Sequence, residues 1–309
     1  MSRKSGWLQT LAARIAMAYV GLCGRLPLAV ARKVGVATGL LIFLVSSRAR
    51  KTALSNLDLA FKNTLSPAEK RRIARESTVN MGLVAAEFGH IPRLSSDILS
   101  RLVRVEGLEH LQTGQGTLLI GAHLGNWEWM APVLSMLGLR VAEVVRPLDH
   151  AGLNQVVDSI RTSQGTATIG KNNAGREIMR LLKEGWIVGV LIDQSPRVSA
   201  VPVTFFGERC WATVAPAMIA ARTKVPIVVV SMTRNGDGTY LFRVSPPLTL
   251  PQEDGFRESL GVLSQACQDV VETRIRQYPG QWLWAHRRWK GRPRLEEEWS
   301  AKAHRPDGG

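Results

Sequence analysis

The 309-residue sequence has few cysteines and lacks several motifs on which enzymes often depend. Its three cysteines, Cys23, Cys210 and Cys267, lie far apart, so they match no metal-ligand spacing and form no disulfide framework. Such sparse use of cysteine is typical of a reducing compartment. There is no glycine-rich phosphate loop, no internal repeat and no serine in a G-x-S-x-G elbow. The sequence therefore gives no support for a metal site, for a cofactor or for a nucleophile supplied by the protein.

Acidic residues are also scarce, with 25 against 40 basic ones and a net charge of +15. Residues 1–105 contain 17 Lys and Arg against 5 Asp and Glu, so +12 of that charge lies in the first third. The basic residues accompany apolar ones rather than the aromatic residues on which bases stack. We therefore expect an anionic membrane surface as partner, and no nucleic acid. An acidic carrier protein would also be attracted to such a chain.

No apolar run is long. Within the first 50 residues, the longest uncharged stretch covers residues 34–47, which is shorter than the roughly 20 residues needed to span a bilayer. The short basic start resembles that of a signal peptide, but Arg14 interrupts the apolar region after it. We expect residues 1–50 to form a membrane anchor or interfacial helices, with ordinary core helices as the alternative. The basic cluster that follows would face anionic headgroups on the cytoplasmic side, and consists of Arg48, Arg50 and Lys51.

From about Val103 apolar strands alternate with helices, which predicts one α/β domain. The expected organisation is a membrane segment at 1–50, a helical subdomain at 51–102, an α/β core at 103–294 and a disordered tail at 295–309. The Ser66-Pro67-Ala68-Glu69 sequence predicts a helix start. Strands are predicted at 117–120, 141–145, 186–192, 203–206 and 227–232, with an edge strand at 240–244. Helices are predicted at 127–137, 154–163, from Asn172 or Asn173 to 183, at 212–222 and at 256–278.

The segment TLLIGAHLGNWEWM, residues 117–130, contains the best catalytic candidates. A buried strand ends at Gly121, and Asn126 is a suitable helix N-cap, so His123 should lie in a strand-to-helix loop. Glu128 should lie in the first helical turn, where the helix dipole favours the ionised carboxylate. A carboxylate beside the imidazole would orient His123 as a general base. The spacing alone is weak, because composition supplies about half such a match by chance.

Three further side chains fall at or after strand ends on the same predicted edge. Arg146 follows one strand, and Asp193 and Gln194 follow another. Asp193 comes after a run of apolar residues, so its carboxylate needs a partner, for which Arg146 or Arg161 is available. The alternative is a structural salt bridge without a catalytic role.

The segment YPGQWLWAHRRWKGRPR, residues 278–294, is rich in tryptophan and arginine. It predicts either an interfacial belt with headgroup contacts or a cradle for a phosphorylated substrate. The alternative is a buried tryptophan-rich cap with a solvated basic edge.

Six motifs in order resemble the bacterial lipid A biosynthesis acyltransferases, the late lauroyl and myristoyl transferases, and their relatives that acylate other glycolipids. The resemblance covers about residues 10–294. The motifs are NLDLAF (56–61), GAHLGNWE (121–128), VRPLD (145–149), LIDQ (191–194), FFG (205–207) and PGQWLWAHRRWKGRP (279–293).

The resemblance implies a single lysophospholipid-acyltransferase-like α/β domain, with a mixed sheet flanked by helices and a helical, membrane-associated N-terminal segment. It implies transfer of a fatty acyl group from acyl carrier protein to a hydroxyl of a lipid A precursor at the cytoplasmic face of the inner membrane. Acyl-coenzyme A is the alternative donor, and another glycolipid or a phospholipid the alternative acceptor. A non-enzymatic basic membrane-binding protein is a less favoured alternative. By resemblance, His123 is the general base, Glu128 its partner, and Arg161 and Asp193 are additional site residues. Arg146, Gln194 and Asn126 are expected to support the substrate or the site.

Overall fold

The computed structural model describes residues 3–111, 114–148, 150–170, 174–249 and 256–303. A seven-stranded mixed sheet and a separate two-stranded hairpin are surrounded by helices, as the α/β expectation required. The strands are β1 (Val103–Glu106), β2 (Thr117–Gly121), β3 (Val141–Val145), β4 (Ala167–Gly170), β5 (Ile187–Leu191), β6 (Ala200–Phe205), β7 (Glu208–Thr213), β8 (Ile227–Arg234) and β9 (Tyr240–Val244). The N-terminal helices are α1 (Arg3–Arg25), α2 (Leu28–Val45), α3 (Ser47–Phe61), α4 (Pro67–Phe88) and α5 (Ser96–Leu102). The remaining helices are α6 (Met130–Met136), α7 (Ala151–Thr162), α8 (Ala174–Lys183), α9 (Ala215–Thr223), α10 (Phe256–Gln277) and α11 (Pro293–Ala303).

The large sheet has the strand order β1-β9-β8-β2-β5-β3-β4 and is parallel except for the β8–β9 pair. Strand β2 lies at its centre, between β8 and β5. Leu118 and Ile120 pack into the core on one face, whereas Leu119 packs into the core on the other. A strand buried on both faces must be continuously apolar, which explains the sequence of β2. The loop at its carboxyl end therefore extends from a central strand that is buried along its whole length.

Several predicted elements differ from those observed. The strand at 240–244 is not at the edge, because β1 pairs with its outer side. The FFG motif forms the turn of the β6–β7 hairpin, with Phe206 and Gly207 at φ of 56° and 75°, as a two-residue type I′ turn requires. Residues 293–303 are helical rather than disordered, and Leu295 of α11 is buried. The proposed caps Asn172 and Asn173 lie outside the described residues.

Helix α4 begins as predicted, with the Ser66 side chain bonded to the Glu69 backbone and Glu69 bonded back to Ser66. It then packs against α2 at glycine contacts. A Cβ atom built on Gly82 would lie 2.2 Å from the carbonyl oxygen of Gly35, and one on Gly39 would lie 2.5 Å from Val79 Cα. Glycine at these positions allows two helix backbones to approach more closely than any side chain would permit.

Helix α2 is, among the described residues, the one helix long and apolar enough by composition to cross a membrane, with a mean hydropathy of 1.9. Only 22% of it is buried. Core helices of soluble proteins and signal sequences can have the same length and hydropathy. Large apolar side chains of its last two turns are exposed, namely Leu40, Leu41, Ile42, Leu44 and Val45.

The glycine contacts give a stability prediction. Gly82→Ala should lower the free energy of unfolding by about 1–3 kcal/mol, because its Cβ would force α2 and α4 apart. Gly175→Ala in α8 is the matched control, since a Cβ there meets nothing within 4 Å. This control should stabilise the protein by about 0.5–1 kcal/mol through helix propensity. Denaturant unfolding of both purified variants measures the difference, and equal stabilities would contradict the close packing.

Candidate active site

His123 lies just beyond the carboxyl end of β2, in a loop fixed by backbone contacts. The N–H of Gly125 donates to the carbonyl oxygen of Gln281, and that of Asn126 donates to Met232. Gly125 has a φ of +64°, and a Cβ there would lie 1.9 Å from the Met232 carbonyl oxygen. Only glycine can occupy this position, so the Gly-Asn pair of the motif sets the path of the loop.

Asp193 is hydrogen-bonded to the imidazole of His123. Its Oδ1 accepts a hydrogen bond from His123 Nδ1 at 2.9 Å, and its Oδ2 accepts one from the His123 backbone N–H at 2.9 Å. The indole Nε1 of Trp282 donates a further bond to Oδ2 at 2.8 Å. Because the carboxylate can only accept, Nδ1 carries the proton and Nε2 is left as the basic nitrogen. A buried carboxylate with three donors is thereby satisfied, as its burial demands.

The electrostatics of this pair suit a general base. Burial alone would raise the pKa of Asp193, but the neighbouring His123 and the hydrogen bonds lower that pKa to about 2. Burial alone would lower the pKa of His123, but the charge of Asp193, their hydrogen bond and the charge of Glu128 raise it above its ordinary value. Asp193 therefore stays ionised, and it stabilises the imidazolium that forms when His123 takes a proton.

The partner expected for His123 was Glu128, and the structure corrects this contact. Glu128 lies in a 3₁₀ turn, residues 127–129, that precedes α6. Its carboxylate accepts two hydrogen bonds from Arg161 of α7, from Nε at 3.0 Å and from Nη2 at 2.8 Å. Such a bidentate pair engages both carboxylate oxygens, so Glu128 acts on His123 through its charge rather than by contact. Because Arg161 meets Glu128, it does not supply the partner that we had considered for Asp193.

A second carboxylate lies on the other side of Arg161. Glu143 of β3 places Oε1 3.5 Å from Arg161 Nε, and this buried oxygen has no hydrogen-bond partner among the described residues. Burial, and then the charge of Glu128, raise the pKa of Glu143 to about 7. Sequence reasoning missed Glu143, although an acidic residue inside an apolar strand was a visible signal.

Asn126 has a different role from the N-cap that we predicted, because its side chain makes no cap bond. It is fully buried and donates to Glu87 of α4 at 2.9 Å. Glu87 also accepts from Arg32 of α2 and from Arg234 of β8, at 2.6 and 2.7 Å. This network joins the His123 loop to α2, and nothing in the local sequence around Glu87 indicated it.

The remaining predicted residues lie at the same edge of the sheet. Gln194 is exposed, with its amide nitrogen 3.4 Å from His123 Nε2. Arg146 directly follows β3 and is also exposed. The tryptophan–arginine segment is largely a buried cap, since Trp282, Trp284 and Arg288 are at most 1% exposed. A membrane belt formed by those tryptophans is therefore excluded. No group of three or more metal-ligating side chains is found in the described part of the chain.

A model of the family described as bacterial lipid A biosynthesis acyltransferase matches residues 2–291. The chain belongs to this family. It is an acyltransferase, as the six motifs predicted.

Individual relatives agree with this assignment. The chain is 28% identical over 280 residues to the lipid A biosynthesis lauroyltransferase of Escherichia coli K12, covering 87% of this chain and 88% of the relative. It is 27% identical over 254 residues, 80% of each chain, to the palmitoleoyltransferase of the same organism. The phosphatidylinositol mannoside acyltransferase of Mycobacterium tuberculosis H37Rv is 25% identical over 193 residues, covering 60% of this chain and 59% of that protein.

The His123–Asp193 contact gives a kinetic prediction. Asp193→Asn should lower kcat by about 10²–10⁴-fold, because the carboxylate that orients and stabilises the imidazolium is lost. The base must be neutral to act, so activity falls as pH drops through the raised pKa of His123. Without the charge of Asp193 this pKa falls, and the acidic limb of the pH–rate profile should move to lower pH.

Asp237→Asn serves as the control, since Asp237 lies in an exposed turn and its side chain bonds only to Thr239 among the residues that the structure describes. Its profile should match that of the parent enzyme. An Asp193→Asn variant with an unmoved acidic limb would contradict the assigned contact.

Proposed function

We propose that this acyltransferase moves a fatty acyl chain from acyl carrier protein to a hydroxyl of a lipid A-type glycolipid, with His123 as general base. The observation that carries the proposal is the His123–Asp193 pair, which leaves a basic Nε2 beside an exposed edge of the sheet. No protein nucleophile accompanies it in the sequence, so the acceptor hydroxyl attacks the thioester directly.

The reaction then proceeds in two steps. His123 Nε2 takes the proton of the acceptor hydroxyl while its oxygen bonds to the thioester carbon, and the carbonyl electrons move to oxygen. The intermediate collapses, the carbon–sulfur bond breaks, and the imidazolium gives its proton to the departing thiolate. Asp193 supports both steps by stabilising the imidazolium. Glu128 adds negative potential near His123, while Arg161 balances most of its charge.

The proposed donor rests on the net charge of the chain, and the proposed acceptor rests on its relatives. Acyl carrier proteins are acidic, and a chain with a net charge of +15 would attract one. The two Escherichia coli relatives are lipid A biosynthesis enzymes, which favours a lipid A precursor as acceptor. The mycobacterial relative favours a second candidate, in which the acceptor is a mannosylated phosphoinositide or a similar glycolipid.

A transfer assay tests the reaction. Purified enzyme should move the acyl group from acyl carrier protein to a lipid A precursor, and His123→Ala should lower kcat by at least about 10²-fold. His110→Ala, in the 3₁₀ turn at 108–111, is the control and should stay active. Near-normal turnover by His123→Ala would contradict the mechanism.

The same assay distinguishes donors and acceptors. Acyl-coenzyme A replaces acyl carrier protein in a parallel reaction, and a higher rate with coenzyme A would overturn the proposed donor. Mass spectrometry of lipid A from a deletion strain should show one missing secondary acyl chain. Unchanged lipid A with an altered second glycolipid would favour the other acceptor.

The location is proposed from α2. One face of this helix packs on α4, so we propose that the opposite face inserts into the cytoplasmic leaflet of the inner membrane rather than standing alone across it. The exposed apolar side chains are concentrated near its C-terminal end. Arg48 and Lys51 are exposed at the start of α3, directly beside these turns, where they would meet anionic headgroups.

Placing a charge on that face should weaken membrane binding. We expect Leu44→Asp to reduce binding to vesicles that contain anionic phospholipid by at least about tenfold, measured by co-sedimentation. Val262→Asp on α10 is the matched control, since Val262 is 46% exposed and far from α2 in sequence. Equal binding by the two variants would overturn the proposed docking face.

A further inference from the structure

The intermediate of the proposed reaction carries a negative oxygen, which needs hydrogen-bond donors. The His123 loop has four consecutive backbone N–H groups, at residues 123–126, and each already has a protein acceptor at 2.7–3.1 Å. The acceptors are, in the order of the donors, the Asp193 carboxylate and the carbonyl oxygens of Ala122, Gln281 and Met232. The loop therefore offers no free backbone donor to the acyl group at these four positions.

The nearby side-chain donors are also engaged. Arg161 gives two hydrogen bonds to Glu128. The indole of Trp127, whose ring meets that of His123 edge-on at 5.2 Å, donates to Glu128 at 3.2 Å. The indole of Trp282 donates to Asp193. Each indole has a single N–H, so it would have to break its bond to a carboxylate before it could turn to the substrate.

Gln194 is different, because its backbone is fixed while its side chain is exposed. Asp193 before it is held by its three donors, and the N–H of Ser195 after it donates to His286 Nε2 at 3.1 Å. Arg292 also donates to the carbonyl and hydroxyl oxygens of Ser195, at 3.0 and 3.1 Å. The Gln194 side chain thus extends from a rigid base into the open face of the site.

Its amide nitrogen lies 3.4 Å from His123 Nε2, which is a long and weak hydrogen bond. Since Nδ1 carries the proton toward Asp193, Nε2 accepts and the amide donates. The acceptor hydroxyl must occupy this same nitrogen in the reaction. When it does, the amide loses its one side-chain hydrogen bond to the described residues and has a donor free within the reacting site.

We infer that Gln194 is a catalytic residue whose amide N–H binds the oxyanion of the tetrahedral intermediate. This assignment rests on the proposed acyl transfer. As the acceptor oxygen bonds to the thioester carbon, the carbonyl oxygen gains the electron pair and receives the Gln194 hydrogen bond. The bond weakens again when the carbonyl re-forms and the thiolate departs with the proton from His123. A donor that is stronger in the transition state than in the ground state raises kcat rather than substrate affinity.

The test compares Gln194→Ala with Gln194→Glu in the acyl-transfer assay. Gln194→Ala should lower kcat by about 10²–10³-fold, the usual effect of removing one such donor, with the KM of donor and acceptor within about threefold of the parent values. The acidic limb of its pH–rate profile should move little, because the variant keeps the His123–Asp193 pair that sets this limb.

Gln194→Glu keeps the size but replaces the donor by a carboxylate. It should lose at least as much kcat, and its acidic limb should move to higher pH because a negative charge near Nε2 favours the imidazolium. Gln155→Ala is the control, since Gln155 is exposed on α7 and its side chain makes no hydrogen bond to the described residues.

Two results would overturn the assignment. One is a Gln194→Ala variant with kcat within threefold of the parent enzyme. The other is a loss that lies entirely in the KM of the acceptor, which would make Gln194 a substrate-positioning residue. A parent enzyme without transfer activity would overturn the proposed function as well, whereas an active parent with an unaffected variant overturns only the role of Gln194.

Discussion

The buried carboxylate of Asp193 connects three separate parts of the chain. It lies two residues beyond the end of β5, and it accepts hydrogen bonds from the backbone and ring of His123 after β2 and from the indole of Trp282 in the C-terminal segment. An ionised group in the interior is tolerated only when its hydrogen-bonding capacity is filled, so all three partners must be in place together. The orientation of the base is therefore coupled to the assembly of the core.

Two groups of ion pairs lie around this centre. Arg161 is paired with Glu128 and Glu143, and Arg234 and Arg32 share the buried Glu87. Ion pairs of this kind contribute little net stability, because removing the charges from water costs about as much as their attraction returns. Their effect here is geometric. The pair with Arg161 directs Glu128 away from the imidazole. Glu87, held by its two arginines, accepts a hydrogen bond from Asn126 and so fixes the end of the His123 loop.

The sequence predicted the strands that have a continuous apolar pattern, because such a pattern is local. It also predicted the family, because each of the six motifs is a short local sequence. It placed His123 and Asp193 at carboxyl ends of strands but did not pair them. Their contact depends on β2 and β5 being neighbours, in a register that pairs Gly121 with Leu191. His123 and Asp193 each lie two positions beyond these paired residues, so the two side chains are level. Seventy residues separate them, so the strand order is needed to see that they meet. The hairpin at the FFG motif and the outer strand β1 were also missed, because a local apolar pattern does not show which strands pair.

The separation of five residues between His123 and Glu128 is explained by Arg161, which binds Glu128. If both Asp193 and Glu128 touched the imidazole, two negative charges would hold the ring as imidazolium, and it could not accept a proton near neutral pH. Because Glu128 is bonded to Arg161, most of its charge is balanced, yet its remaining field still raises the pKa of His123. Asp193 fixes the tautomer and Glu128 adjusts the basicity. In the proposed reaction, His123 takes a proton from an alcohol and returns it to a thiolate, which requires that neither the neutral nor the charged imidazole be too strongly favoured. The contact with Asp193 and the balanced charge of Glu128 together meet this requirement.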